Sequence, residues 1–275
     1  MEISNINRQA IEEFLNKDKR FDGRGLKDYR DIKIEIGVSK NAEGSARVKF
    51  GDCEVVAGVK IDVSTPYPDG QDEGTLMTTM EFLPMASPDF EAGPPGIASI
   101  ETARIIDRGI RESGFIDFKK LCIKEGEKVY SIMLDLFPIN ADGNLIDLGA
   151  LAAVVALKTA RMPKYNEKTE RIEHGEWTNK PLPLTDKTPI TITAHKMGSK
   201  ILFDPVNEEE ESSEARVSLC FTYNGKEIMI NAAQKGGEKS FTEKEFEEVI
   251  DSAAEKYKEL EVKIEKEIKK IGKND

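Results

Sequence analysis

Apolar and polar residues alternate along DIKIEIGVSK (31–40), the period-2 pattern of a half-buried strand. SARVKFGDCEVVAGVKIDV (45–63) carries β-rich runs on both sides of Gly51-Asp52, which predicts a hairpin. Before them, Ile6, Ile11 and Leu15 stand at near-helical spacing and predict a helix over 4–17; RFDGRGLKDYR (20–30) follows as a charged loop. Residues 64–97 are turn-dense, with a strand predicted in TLMTTMEFLP. Helical periodicity returns over 98–113, where Ile100, Ala103, Ile106 and Ile110 form an apolar stripe. KVYSIMLDLFPI (128–139) reads as a strand. IDLGALAAVVALKTAR (146–161) is so continuously apolar that it predicts a helix buried on most sides.

Farther on, KPLPLTDKTPITITAHKMGSKILFDP (180–205) predicts two or three strands and EEEESSE (208–214) a solvated acidic loop. ARVSLCFTYNGKEIMINAAQKG (215–236) predicts a hairpin about Asn224-Gly225. A long helix over 242–271 opens with the capping pair Thr242 and Glu245. Strands, turn and helix thus occur twice. The expected organisation is one domain over 1–275: an N-terminal helix and extension (1–30), a first β/α lobe (31–165) and a second (180–275). GSARVKF (44–50) and GSKILFD (198–204) are expected to open equivalent strands in the two lobes.

Charge complicates this picture. The chain has 51 Asp and Glu against 40 Lys and Arg, a formal net charge of −11, so indiscriminate binding of a phosphate polymer is excluded. Yet ETARIIDRGIR (101–111) aligns Arg104, Arg108 and Arg111 within roughly 60° on a helix at about 100° per residue. Glu101 is positioned to pair with Arg104 or Arg108, which would make the stripe a solvated face. Planar, permanently charged guanidinium forks equally suit phosphate oxygens, and the sequence leaves both readings open.

Other candidate chemistry is thin. Cys53, Cys122 and Cys220 lie far apart without a C-x-x-C, which fits a reducing cytoplasm and no zinc site. His174 and His195 have no nucleophile motif or ligand partner and read as structural or surface residues. Four consecutive glutamates without spacing glycines make a poor metal site, so no metal or cofactor is expected. NADGNLID (140–147) offers a glycine turn into a helix, but with Asp142 and Asp147 in place of a cation it reads as a tight strand-to-helix turn. No apolar run reaches the ~18 residues of a membrane span, and the N-terminus lacks a signal-peptide pattern.

In order, RFDGRGLKDYR, GSARVKFGDCEVVAGVK, ETARIIDRGIR and INADGNLIDLGALAAVVAL resemble the RNase PH family of phosphorolytic exoribonucleases, over nearly the whole chain. The resemblance implies an α+β fold of the ribosomal protein S5 domain 2-like type, with two pseudo-repeated β/α lobes and helices packed on sheets. Within the family the chain is most similar to the larger, non-catalytic ring subunit of the archaeal exosome.

The departures matter as much. Catalytic members follow the turn with A-D-G-G-T-R, whose Thr and Arg help hold the attacking phosphate; here the register gives Ala141-Asp142-Gly143-Asn144-Leu145-Ile146. Where catalytic members carry two aspartates six residues apart, this chain has Glu210 and Arg216. The resemblance therefore implies no catalytic residues, and RNA-binding roles for Arg104 and Arg108; Arg111, on the same stripe, is a candidate either for RNA binding or for pairing within the protein. It implies a catalytic RNase-PH-like partner, three such heterodimers in a hexameric ring, RNA-binding cap subunits, and single-stranded RNA degraded from its 3′ end. Two rivals stand beside it: the chain is itself a phosphorolytic exoribonuclease, or it is a scaffold that never touches RNA.

Overall fold

The computed structural model describes residues 5–271, with side chains described over 10–268. Residues 1–4, which include the start of the predicted first helix, and the side chain of Ile6 lie outside these described residues. Helix α1 (Asn5–Leu15) seats Ile11 and Leu15 against Met197 and Leu202 of the far half of the chain. Strands β1 (Ile32–Ile36), β2 (Gly44–Phe50) and β3 (Cys53–Ser64) form an antiparallel meander. Alternation in β3 buries Cys53, Val55, Ala57, Val59 and Ile61 on one face.

After β4 (Thr75–Met80) comes α2 (Ile97–Glu112), then a 3₁₀ turn (Phe118–Leu121), the short β5 (Cys122–Lys124) and β6 (Lys128–Asn140). The first sheet runs β1-β2-β3-β6-β4, with β5 on β6; only β4 is parallel to its neighbour. Helix α3 (Leu145–Thr159) follows, then β7 (Arg161–Asn166) and β8 (Arg171–Pro181), which pair with each other. The second sheet consists of β9 (Ile190–Met197), β10 (Lys200–Phe203), β11 (Ala215–Tyr223) and β12 (Ile228–Gly237). Its order is β10-β9-β11-β12, antiparallel throughout. Helix α4 (Asn207–Ser212) precedes β11, and α5 (Glu243–Ile271) closes the described chain. The expected Thr242–Glu245 cap is present: each backbone N–H donates to the other's side chain, at 2.7 and 3.3 Å.

Helix α3 is buried from Ile146 to Leu157 because it packs on β2 and β3 on one side and β9 on the other. One hydrophobic cluster therefore spans both sheets. The approach is close at Gly44, where a Cβ would stand 2.3 Å from the Ala156 carbonyl oxygen. Gly44→Ala is expected to lower stability by about 1–3 kcal/mol through overpacking, read as a reduced urea midpoint.

Four expectations change. EEEESSE is not a solvated loop: Asn207–Ser212 is helical, Glu209 is buried and Glu210 is partly buried. The acidic first turn suits the positive end of the helix, and both residues meet buried donors described below. GSARVKF and GSKILFD do not open equivalent strands, because β2 lies between two neighbours whereas β10 is an edge strand beside β9. Ile100 does not join the buried stripe. It stands about 120° from Ile106 around the helix and is 48% exposed, whereas Ala103, Ile106 and Ile110 are buried. The β7–β8 hairpin has no counterpart in the sequence reading, since β8 is mostly exposed and carries no sustained alternation.

Candidate nucleic-acid interface

Pro94-Pro95-Gly96 brings the chain into α2, and Gly96 takes the extended N-cap conformation. The buried side of α2 fixes its rotation against β4, α3 and β12, which leaves Arg104 and Arg108 exposed. The predicted pairing with Glu101 does not form. Glu101 instead meets Arg216 of β11 at 2.8 Å. Among the described residues, neither Arg104 nor Arg108 has a hydrogen bond or ion pair.

Arg111 differs. Its Nε donates to Asp107 at 3.1 Å, its Nη2 donates to the Leu76 carbonyl at 2.9 Å, and its guanidinium lies 5.8 Å from the Phe118 ring centroid. It thus ties α2 to β4. Beside the two unpaired arginines lies a groove of about 350 Å³, walled by Ile97 and Ile100 of α2 and floored by Thr191, Ser218 and Gln234 of the second sheet. Ile97 is 87% exposed, so the groove has an apolar lip next to a cationic one.

The turn between β6 and α3 is filled by the chain itself. Gly143 (φ +72°) and Asn144 (φ +55°) take left-handed conformations. The Asn144 backbone N–H donates to Glu210 Oε2 at 2.7 Å, and its Nδ2 donates to Asp204 Oδ1 at 2.9 Å. Ile146, the second residue of α3, is buried. Burial pushes the Glu210 carboxyl up, against the Asn144 N–H and the charge of Arg216.

Around this turn the arginines of RFDGRGLKDYR converge on the loop before α4. Asp204 is fully buried and accepts from Arg30 N (2.8 Å), Nε (2.9 Å) and Nη2 (2.7 Å), and from Arg24 Nη1 (2.9 Å). Arg20 donates to Glu209 with both Nε and Nη2, and to the Phe203 and Asp204 carbonyls at 3.0 and 2.7 Å. Burial alone would raise the Asp204 carboxyl, but the hydrogen bonds and charge of Arg30 outweigh it and hold it below the ordinary value. These arginines are structural, and only the partners' far positions in the sequence concealed it.

His195 is buried on β9, and burial together with Arg216 pushes its pKa down to about 3, so it stays neutral. Among the described residues, no group of three His, Cys, Asp or Glu is arranged to hold a metal ion, and no helix is long and apolar enough to cross a membrane.

Residues 28–163 match the family model described as 3′ exoribonuclease family, domain 1, and residues 187–256 match domain 2. The chain belongs to the 3′ exoribonuclease family. Its relatives in that family include the exosome complex component Rrp42 of Methanosarcina mazei, 44% identical over 258 residues, 94% of this chain and 93% of the relative. The Rrp42 of Methanothermobacter thermautotrophicus is 43% identical with the same 94% of this chain covered, and 94% of its own. Among solved structures, a chain of the Archaeoglobus fulgidus exosome with RNA bound to the active site superimposes with a TM-score of 0.82 at 38% identity, covering 93% of this chain and 97% of that one. A chain of an archaeal exosome core also gives 0.82, at 36% identity, covering 95% and 97%. The RNase PH fold expected from the sequence is therefore the fold of the chain.

Proposed function

We propose that this chain is a non-catalytic ring subunit of an archaeal exosome, in the cytoplasm. It pairs with a catalytic RNase-PH-like subunit, and three such heterodimers form a hexamer carrying RNA-binding cap subunits. Single-stranded RNA is phosphorolysed from its 3′ end on the partner, releasing nucleoside diphosphates, while Arg104 and Arg108 hold phosphates of that strand. The names of the relatives support membership of the complex.

The observation that carries the RNA role is the pair of exposed arginines that have no partner among the described residues, one helical turn apart beside a groove. In an acidic protein, exposed arginines without a partner among the described residues suit an outside anion. Arg111, held by Asp107, Leu76 and Phe118, sets the position of α2 in this reading rather than gripping RNA. The non-catalytic assignment rests on a buried isoleucine, Ile146, just after the turn, on Arg216 paired with Glu101, and on the Asn144 N–H being taken by Glu210. Among the described residues, the groove is lined by a single carboxylate, Glu101, which is paired with Arg216, so its lining offers no carboxylate pair for proton transfer.

The test is reconstitution with the catalytic subunit. Arg104→Ala with Arg108→Ala is expected to weaken single-stranded RNA binding roughly tenfold or more. It should also flatten the slope of log K against log salt by about 1.4, or ~0.7 for each phosphate no longer neutralised. Unchanged affinity and slope would favour the scaffold. The isolated chain, given oligo(A) and phosphate, is expected to release no ADP.

A further inference from the structure

We propose that Arg216 and Arg111 act as internal counter-cations: they hold Glu101 and Asp107 away from Arg104, and so leave that guanidinium free for an RNA phosphate. The inference rests on the RNA role proposed above and assigns positioning residues to it.

Arg104 has two acidic neighbours on its own helix. Glu101 precedes it by three residues and Asp107 follows it by three. Side chains three apart on a helix stand about 5–6 Å from one another at Cβ, close enough for an ion pair. Neither pair forms, and each acid is engaged from elsewhere. Glu101 meets Arg216 of β11 at 2.8 Å. Asp107 accepts from Arg111 Nε at 3.1 Å and Nη2 at 3.2 Å, and from Thr78 Oγ1 of β4 at 3.0 Å. A strand of each large sheet thus takes part in occupying the two carboxylates that could neutralise Arg104. Arg108 has one acidic neighbour four residues on, Glu112, and the two form no ion pair among the described residues.

Arg216 is the more firmly held half of its pair. Its side chain is 18% exposed, against 38% for Glu101. Its register partner on β12 is Gly236, where a Cβ would stand 2.8 Å from both Nε and Cζ of Arg216. Glycine therefore lets the guanidinium lie across β12 and reach α2. The pairing also gives a reason for the sign of residue 216. An acid at that position would repel Glu101 towards Arg104. The Arg216 charge acts on Glu210 and His195 as well, so its removal disturbs more than one contact. The test accordingly asks whether a second substitution, at Glu101, reverses the effect on RNA.

The experiment uses the complex reconstituted with the catalytic subunit and follows oligo(A) binding by fluorescence anisotropy across a salt series. Arg216→Gln is expected to weaken binding about two- to fivefold, the factor by which an exposed ion pair competes with a phosphate for Arg104. It should flatten the slope of log K against log salt by up to ~0.7, the share of one phosphate. Adding Glu101→Gln should restore both, and Glu101→Gln alone should not weaken binding. In an Arg104→Ala background, Arg216→Gln should have no further effect. The pair on the other side gives an independent reading: Arg111→Gln should weaken binding and Asp107→Asn restore it. That reading decides the matter if Arg216→Gln does not assemble. The proposal fails if Glu101→Gln weakens binding as much as Arg216→Gln, because the ion pair would then be needed only for structure. It fails equally if the Glu101 and Asp107 substitutions restore nothing. Loss of binding in Arg104→Ala with no loss in Arg216→Gln or Arg111→Gln would overturn this inference alone, whereas unchanged binding in Arg104→Ala with Arg108→Ala would overturn the RNA role itself.

Discussion

Asp204→Ala is expected to lower the unfolding free energy by about 3–5 kcal/mol, enough to unfold a large share of the protein under mild conditions. The reason is what the substitution leaves behind. Asp204 is fully buried and accepts from Arg24, from three groups of Arg30 and from Asn144. Without it Arg30, itself mostly buried, keeps only Asp142 as a charged partner. An uncompensated buried guanidinium is far costlier than a broken surface ion pair. Asp204→Asn should lie between, since the amide still accepts but no longer neutralises. The pH dependence follows from the depressed carboxyl. Its contribution is present above the ordinary aspartate value and disappears as acid takes the pH down through the lower folded value. Urea melts at neutral and acid pH, compared between wild type and variants, check both statements.

Asp147→Ala is expected to cost a comparable ~3–4 kcal/mol, with the opposite pH signature in the native residue. Asp147, at the start of α3, accepts from Tyr29 Oη (2.7 Å), Thr193 N (3.0 Å) and Thr193 Oγ1 (2.7 Å). Thr193 Oγ1 lies 2.9 Å from Ser218 Oγ, which reaches the groove floor. Alanine would strand these buried donors. Burial raises the Asp147 carboxyl to about 6 despite those hydrogen bonds. A raised carboxyl binds its proton more tightly in the folded state, so its contribution is greatest below the ordinary value near 3.8 and falls as pH climbs to about 6. Asp147→Asn does not titrate. Its stability relative to wild type should therefore improve between about pH 4 and 6 and then level off; a flat difference curve would contradict the assignment.

These residues show what the sequence made legible. Alternation in β3, the near-continuous apolar run of α3 and the Thr242–Glu245 cap are local patterns, and each became the element expected. The stripe of Arg104 and Arg108 was also visible, because helical angles follow from numbering alone. Its electrostatic state was not. Glu101 lies three residues from Arg104, yet its partner is Arg216, supplied by a strand of the other sheet. The acidic run before β11 misled for the same reason. Composition says that glutamates prefer water, and nothing local announces that Arg20 and the Asn144 amide wait for two of them. The β7–β8 hairpin escaped because most of its side chains face solvent on both sides, leaving no alternation to read.

The arginine clasp has a consequence for biosynthesis. Arg20 and Asp204 are separated by 184 positions, and Arg30 and Asp204 by 174. During translation the three cations leave the ribosome long before their acceptor has been made. The amino-terminal strands can pair as they emerge, but the latch that secures them must close afterwards, when most of the polypeptide is already outside.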